Sequence, residues 1–211
     1  MPQAEVKRDP RIVRSMTAMR SALLQLMSRK PFAAITITEI VGLAGYNRGT
    51  FYANYTTKED LLEDMIGEKI NDLLQSFRAP YAQVSEFSPH ELHANSVMIF
   101  NHIARNADFY TILTKSDVLP ALRKKMFASL KNILTEELSF EEGDVDQELM
   151  FIYSLNALLG LIFYWIESGY AHPPAYMQEQ LVKILNHMPS PGKKLGVRTQ
   201  AVSKNLHEKR G

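Results

Sequence analysis

Four consecutive residues, Asn47, Arg48, Gly49 and Thr50, combine a short amide, a guanidinium group, a missing side chain and a hydroxyl. An arginine at the start of a helix can donate two hydrogen bonds to the O6 and N7 edge of guanine, which discriminates against other bases by about 1–3 kcal/mol. The same guanidinium could instead bind a phosphate or stay in solvent. A glycine either lets the backbone approach a surface closely or is a tolerated defect in a helix. This chemistry suits recognition of double-stranded DNA if a helix presents it.

The residues around this group predict such a helix. Thr36 and Glu39 have the spacing of a capping box, which predicts a short helix that ends near Ala44. Gly45 follows at the position where a left-handed residue commonly ends a helix. Asn47 is a good N-cap for the next helix. Two short helices joined by a tight glycine turn form a helix-turn-helix, whose second helix lies in the major groove with its first residues at the base edges.

The charges are strongly segregated, although the formal net charge is only +1. Residues 1–58 contain nine cations and three anions, whereas residues 59–188 contain nine cations and 19 anions. Residues 189–211 contain six cations and one anion. This pattern predicts that the N-terminal segment binds a polyanion and that the middle segment does not. The basic C-terminal segment is predicted to be mostly disordered, and its role stays open between added DNA affinity and solubility.

Apolar residues recur with helical period throughout the chain, which predicts an all-α fold. A first amphipathic helix is expected over about 11–28, and Thr57 is expected to cap another that ends at Pro80. The further predicted helices cover about 89–104, 108–114, 120–140, 146–168 and 174–188.

Residues 32–62, FAAITITEIVGLAGYNRGTFYANYTTKEDLL, resemble the DNA-binding region of the TetR (tetracycline-repressor-type) family of bacterial regulators. The resemblance lies in Phe32, the TITEI start of a helix, Ala44-Gly45, the RGTFY block, Tyr55 and the KEDL start of the next helix. It implies an N-terminal three-helix DNA-binding domain and a larger helical effector and dimerisation domain. We therefore expect domains at 1–58 and 59–188, followed by the tail at 189–211.

Several further residues become candidate DNA contacts. Tyr52 resembles the phosphate-contacting tyrosine of the family, although a packing role is the alternative. Thr36 and Lys58 lie at predicted helix starts, where amide groups and the helix dipole favour phosphate. Asn54 stands where family members often have histidine or a basic residue, so it adds no charge. The full predicted set is Thr36, Thr38, Asn47, Arg48, Gly49, Thr50, Tyr52, Asn54 and Lys58.

The resemblance also implies that the last two long helices form a four-helix bundle with a second subunit. The helix over 146–168 is apolar around too much of its circumference for one small domain to bury. The predicted dimer interface is Leu155, Leu159, Ile162 and Phe163. A pocket for an apolar or amphipathic effector is expected between helices, although core packing is the alternative for each candidate. Its predicted lining is Met98, His102, Phe109, Tyr110, Met126, Phe127, Tyr153 and Trp165.

Other chemistry is not indicated. The chain has no cysteine, so thiolate metal sites and cysteine nucleophiles are excluded, and no nucleotide-binding or hydrolase motif occurs. His90 and His93 have helical spacing, but solvated histidines fit them better than a metal site. The uncharged run 150–166 is slightly short for a membrane span, so a buried helix is favoured.

The sequence therefore predicts a homodimeric, ligand-responsive transcriptional regulator of the bacterial cytoplasm, acting as a repressor on a palindromic operator, with no cofactor, metal or membrane. Two alternatives stay open. One is an all-helical ligand- or partner-binding protein with a degenerate DNA-binding region, and the other is an all-helical enzyme.

Overall fold

The computed structural model describes residues 9–83, 91–138 and 145–187. Every regular element in these ranges is helical, as predicted. The α-helices are α1 (Pro10–Met27), α2 (Ile37–Ala44), α3 (Arg48–Tyr52), α4 (Lys58–Arg78), α5 (Ile99–Arg105), α6 (Ala107–Thr114), α7 (Leu119–Glu137), α8 (Gln147–Glu167) and α9 (Pro174–Leu185), and 3₁₀ turns lie at Phe32–Ala34 and Ala94–Ser96.

The first three helices form a small bundle around Phe51, which is fully buried. Helix α1 packs along α2, and α3 packs against α2 as the second helix of the helix-turn-helix. On α1 the buried side chains Met16, Met19, Leu23 and Met27 recur at steps of three and four, so one apolar face meets the rest of the bundle. The short α3 is thus held by the bundle rather than by its own helical propensity.

Helix α4 begins at Lys58, the last residue of the predicted N-terminal domain, and contacts both domains. It packs on α1 at one end and on α5 and α7 further along. Its buried residues Leu61, Leu62, Met65, Ile66, Ile70 and Leu73 therefore belong to one apolar cluster that runs from the N-terminal domain into the C-terminal domain.

Helix α8 is the central helix of the C-terminal domain and packs on α6 and α7. Its length of 21 residues and mean hydropathy of 1.9 are also sufficient for a membrane span. Here seven of its side chains are buried in the domain, including Trp165, which is 1% exposed and lies edge-on to Phe100. In this structure α8 is a core helix.

The prediction of a helix over 89–104 was partly wrong. Residues 89 and 90 lie outside the described residues, and α5 begins only at Ile99. Both the amide and the hydroxyl of Ser96 donate to the His93 carbonyl, at 3.0 and 2.7 Å, which closes a 3₁₀ turn instead of an α-helical one. The predicted tail, 189–211, lies outside the described residues.

Candidate nucleic-acid interface

Each of the two helices of the helix-turn-helix begins at a side-chain N-cap. The hydroxyl of Thr36 accepts the amide of Glu39 at 3.3 Å, and the Glu39 carboxylate accepts the amide of Thr36 at 2.9 Å. This is the predicted capping box. A hydrogen bond from Lys30, reinforced by the Thr36 amide, lowers the pKa of Glu39 to about 2, so the carboxylate stays charged. The start of α2 is therefore rigidly defined.

The turn between α2 and α3 follows the prediction as well. Gly45 has φ of 75°, a left-handed conformation that favours glycine. The Asn47 side-chain oxygen accepts the amide of Thr50 at 2.9 Å and caps α3. A side chain on Gly49 would place its Cβ 3.1 Å from that same oxygen, so the glycine leaves room for the cap. This steric role of Gly49 differs from both predicted ones, close approach to DNA and a tolerated helix defect.

Arg48 is exposed at the first turn of α3 and is oriented by a neighbour on α2. Its Nη2 donates to the Thr38 hydroxyl at 2.8 Å. One guanidinium edge is thereby held against α2, while the residue stays on the surface at the start of the helix. The two predicted contacts Thr38 and Arg48 thus form one unit, a relation that their ten-residue separation did not reveal.

The remaining predicted contacts divide into exposed groups and groups with internal partners. Tyr52 is 55% exposed and stands edge-on to Phe51 at 5.6 Å between ring centroids, so it combines an accessible hydroxyl with a packed ring. Asn54, just after α3, donates to the Thr50 carbonyl at 2.9 Å. The Thr36 hydroxyl caps α2. Of the predicted set, Arg48, Thr38 and Tyr52 are exposed polar residues that a ligand can reach.

Lys58 has internal partners in this structure. Its Nζ donates to the carbonyls of Phe32, Ala33 and Ile35 at 2.9, 3.0 and 2.8 Å, and it lies 4.7 Å from the centre of the Phe32 ring. An ammonium group has three hydrogens to donate, so these carbonyls satisfy it. In this conformation Lys58 stabilises the loop between α1 and α2. This contact joins residues that are far apart in the sequence, so no local pattern indicates it.

A second feature missed from the sequence braces the N-terminal domain on α4. The Asp64 Oδ2 atom accepts from Arg20 Nε at 2.9 Å, from Arg20 Nη2 at 2.7 Å and from the Tyr55 hydroxyl at 2.5 Å. Glu68 also binds Arg20. Burial, together with the adjacent Asp64 carboxylate, raises the pKa of Tyr55, so this hydroxyl remains a donor. This brace joins α1, the end of the helix-turn-helix and α4.

The predicted effector-pocket residues are not brought together in one site. Met98 and His102 line a groove of about 530 Å³ between α4 and α5. Phe109, Tyr110, Met126 and Trp165 are buried in the core, Phe127 is partly buried, and Tyr153 is 77% exposed on α8. The groove residues that the sequence reasoning missed are Asp72, Gln75, Ser76, Ala79, Arg105 and Asn106.

A buried histidine lies beneath the groove. His102 is only 2% exposed, and its Nε2 lies 2.9 Å from the Tyr110 hydroxyl. Burial lowers the pKa of His102 to about 4, so the imidazole is neutral at neutral pH. Asp72 on α4 and Arg105 on α5 add opposite charges to the rim. Among the described residues, no group of histidines and carboxylates is suited to hold a metal ion.

The predicted dimer residues require a correction. Leu155, Leu159, Ile162 and Phe163 are 1%, 6%, 0% and 2% exposed within a single chain, so they form the core of the C-terminal domain and not its surface. The sequence shows that α8 is apolar on most sides but not which side faces its own domain. The exposed face of α8 instead carries Leu149, Tyr153, Ala157, Gly160 and Tyr164.

A compact helix-turn-helix domain on a larger helical domain defines a class of two-domain DNA-binding regulators. Two family descriptions match the chain: "Bacterial regulatory proteins, tetR family" over residues 20–65, and a transcriptional regulator C-terminal region of the same family over residues 90–187. The chain belongs to the TetR family of transcriptional regulators.

Individual relatives agree with this assignment. The chain is 25% identical over 185 residues to YxbF, an uncharacterized HTH-type transcriptional regulator of Bacillus subtilis strain 168. That match covers 87% of this chain and 48% of the relative, so this chain spans about half the length of the curated relative. A TetR regulator structure from Streptococcus agalactiae 2603V has a TM-score of 0.59 at 19% identity, with 85% of this chain and 98% of the other covered. The FadR repressor of Thermus thermophilus in complex with lauroyl-CoA has a TM-score of 0.50 at 22% identity, with 86% and 99% covered.

Proposed function

We propose that this regulator is a cytoplasmic homodimer that represses transcription from a palindromic operator and is released by a small-molecule effector. The observation that carries the proposal is the exposed Arg48–Thr38 pair at the start of α3, within a domain of strong positive charge. An arginine edge presented in this way can read guanine in the major groove. The proposed DNA-binding residues are Thr36, Thr38, Asn47, Arg48, Gly49, Thr50, Tyr52 and Asn54, with Arg48 and Tyr52 foremost.

Selection of bound duplexes from a random pool tests this proposal directly. We expect an inverted repeat with half-sites about one or more helical turns (~34–36 Å each) apart, because two domains related by a twofold axis bind related half-sites. Affinity should fall steeply with salt, by about 0.9 in log K per log salt for each neutralised phosphate. Weak binding without salt dependence would instead support a ligand-binding protein with a degenerate DNA-binding region.

Arg48→Ala distinguishes base reading from phosphate contact. If Arg48 reads guanine, the variant loses preference at one base pair of each half-site and about 1–3 kcal/mol at that position. Thr38→Val is the matched partner, since it removes the hydroxyl that accepts from Arg48 but keeps the side-chain shape. It should reduce the preference at the same base pair, but by less than Arg48→Ala does. Uniform weakening on all sequences by Arg48→Ala would show that the guanidinium binds phosphate.

The proposed dimer interface is the exposed face of α8. Leu149, Tyr153, Ala157, Gly160 and Tyr164 recur along one side of the helix at near-helical spacing. A Cβ on Gly160 would meet nothing within 4 Å, so a second helix could approach the backbone closely there. Ile184 on α9 is a further exposed apolar side chain. A second copy of the same face is the occupant that we propose, since a twofold interface brings identical patches together.

Two substitutions on opposite sides of α8 test the interface. Tyr164→Glu should give a folded monomer in sedimentation, because Tyr164 is 68% exposed in one chain. Leu159→Glu should unfold the C-terminal domain, because Leu159 lies in its core. A wild-type monomer, or a Tyr164→Glu variant that remains dimeric, would refute this interface.

The effector is proposed to bind in the groove between α4 and α5. Met98 offers an apolar contact, while Asp72 and Arg105 can bind polar or charged groups, so an amphipathic ligand fits best. The lauroyl-CoA complex of the Thermus thermophilus relative makes that compound the first probe. Calorimetry should show binding to the wild type and at least tenfold weaker binding to Arg105→Ala. Equal binding to both proteins would place the ligand elsewhere. Operator affinity that rises when ligand is added would make the protein an activator.

A further inference from the structure

The loop between α1 and α2 is held from two sides by opposite charges. On one side, the carboxylate of Asp117 accepts the amide of Phe32 at 2.8 Å and the amide of Ala33 at 3.0 Å. On the other side, Lys58 donates to the carbonyls of Phe32, Ala33 and Ile35. The 3₁₀ turn Phe32–Ala34 therefore has an anion at its amides and a cation at its carbonyls, as the dipole of such a turn favours.

The two partners of the turn come from different parts of the chain. Lys58 is the first residue of α4, whereas Asp117 lies between α6 and α7, 85 positions after Phe32. Asp117 is thus a direct polar link from the C-terminal domain to the backbone of the N-terminal domain. The Ala33 and Phe32 amides lower the pKa of the Asp117 carboxyl, which keeps it ionised as an acceptor. Hydrogen bonds to a charged acceptor are stronger than neutral ones.

The turn is also close to the DNA-reading elements. Ala33 precedes Thr36, the N-cap of α2, by three residues, and the Thr38 that holds Arg48 follows two residues later. Phe32 itself is 8% exposed and anchored in the core, so the turn cannot swing freely. The hydrogen bonds of Asp117 therefore hold a turn that lies only a few residues before α2, the helix whose Thr38 contacts Arg48.

From this arrangement we propose that Asp117 is a positioning residue for DNA binding, which sets the orientation of the helix-turn-helix on the C-terminal domain. In a dimer, the orientation of each N-terminal domain determines the distance between the two recognition helices. Asp117 would then determine which half-site spacing is accepted. The consequence for spacing rests on the proposed homodimer and operator, whereas the contact and its effect on orientation do not.

The first experiment measures the contact itself by amide hydrogen exchange of Phe32 and Ala33. Asp117→Ala should accelerate exchange of both amides about tenfold, because each loses a charged acceptor. Asp117→Asn keeps one acceptor oxygen and replaces the other with an NH2 donor, so it should slow the exchange of only one of the two amides relative to Asp117→Ala. Asp108→Ala, which removes another exposed carboxylate of the C-terminal domain, is the matched control and should leave both rates unchanged. Unchanged exchange in Asp117→Ala would overturn the proposal.

The second experiment measures orientation without DNA. Because the chain has no cysteine, Gly42→Cys on α2 and Glu136→Cys on α7 give two unique positions for spin labels. Both positions are exposed. Pulsed electron paramagnetic resonance should show one narrow distribution of intrachain distances when the labelled protein retains Asp117. The distribution should be broader in the labelled Asp117→Ala variant. A distribution of unchanged width, together with faster amide exchange, would show that Asp117 stabilises the turn but does not position the domain.

The third experiment measures spacing preference on operators with zero, one or two base pairs inserted between the half-sites. The wild type should prefer one spacing, and Asp117→Ala should bind the best spacing less tightly but accept the others with a smaller penalty. A purely structural loss would weaken all spacings equally, and that result would overturn the role in spacing. If the wild type binds no operator at all, the proposed function fails, while the exchange and distance measurements still decide whether Asp117 positions the domain.

Discussion

Asp64→Ala should remove the brace between the N-terminal domain and α4, because the hydrogen bonds of the brace converge on one oxygen atom of Asp64. Its Oδ2 accepts two hydrogen bonds from Arg20 and one from Tyr55. An exposed ion pair is worth only about 0.2–1 kcal/mol, and the Asp64 side chain is 33% exposed, so the pair with Arg20 lies near the upper end of that range. Tyr55 is 6% exposed, and a buried hydroxyl left without an acceptor costs about 1–3 kcal/mol.

Together these terms predict a loss of about 2–4 kcal/mol in the free energy of unfolding. For a chain of this size that corresponds to a fall in Tm of roughly 4–16 °C. Denaturant unfolding of Asp64→Ala, Tyr55→Phe and the double variant forms a thermodynamic cycle. We expect a coupling energy of about 1 kcal/mol between the two side chains. Asp72→Ala, which removes a carboxylate at the groove rim on the same helix, is the control and should change stability by less than about 0.5 kcal/mol.

A coupling energy below about 0.3 kcal/mol would refute this reasoning, because separate residues add within that limit. It would mean that Arg20 and Tyr55 find other partners once Asp64 is removed. Tyr55→Phe alone should cost less than Asp64→Ala, since Asp64 would keep both hydrogen bonds from Arg20.

Two further predictions concern backbone strain and pH. Gly45→Ala should destabilise the protein by about 1–2 kcal/mol, because φ is 75° there, whereas Gly42→Ala should stabilise it by about 0.5–1 kcal/mol because it lies inside a helix. A Cβ meets open space at both positions, so thermal unfolding of the two variants measures the backbone effect alone. Equal shifts in Tm would contradict this explanation. His102 has its pKa lowered from 6.5 to about 4, so the unfolded chain binds its proton first and stability falls as pH drops from about 6.5 to 4. Between these pH values His102 makes the free energy of unfolding change by up to about 1.4 kcal/mol per pH unit, and His102→Gln should abolish that dependence when unfolding by urea is measured at several pH values. If the free energies of the two proteins change with pH in parallel, His102 is not the group responsible.

Local patterns in the sequence predicted the helix-turn-helix well. The caps at Thr36, Asn47 and Thr57 and the left-handed Gly45 were confirmed, because each depends on residues within four positions. Thr57 in fact forms a full capping box with Asp60. Helix boundaries in the C-terminal domain agreed within about three residues at most ends, except at α5, where a side-chain hydrogen bond selected a different turn.

Contacts between distant residues were not predictable in this way. Lys58 begins a helix, a position that indicates a phosphate contact, whereas the carbonyls that it binds within the protein lie 23 to 26 positions earlier. Asp117 and Asp64 carried no local signal at all. On α8, apolar residues occupy nearly the whole circumference, so the periodicity could not distinguish buried Leu159 from exposed Tyr164. The DNA-contact and effector assignments remain predictions.

The burial of Trp165 gives the protein an internal optical reporter. It is the only tryptophan in the chain, its ring packs against Phe100 and Tyr170, and its indole nitrogen donates to the His172 carbonyl at 2.8 Å. Fluorescence excited selectively at tryptophan therefore reports on the C-terminal domain alone, while circular dichroism reports on helices throughout. If the two signals change at different temperatures, the domains melt separately. If they coincide, the continuous α4 makes the chain a single cooperative unit.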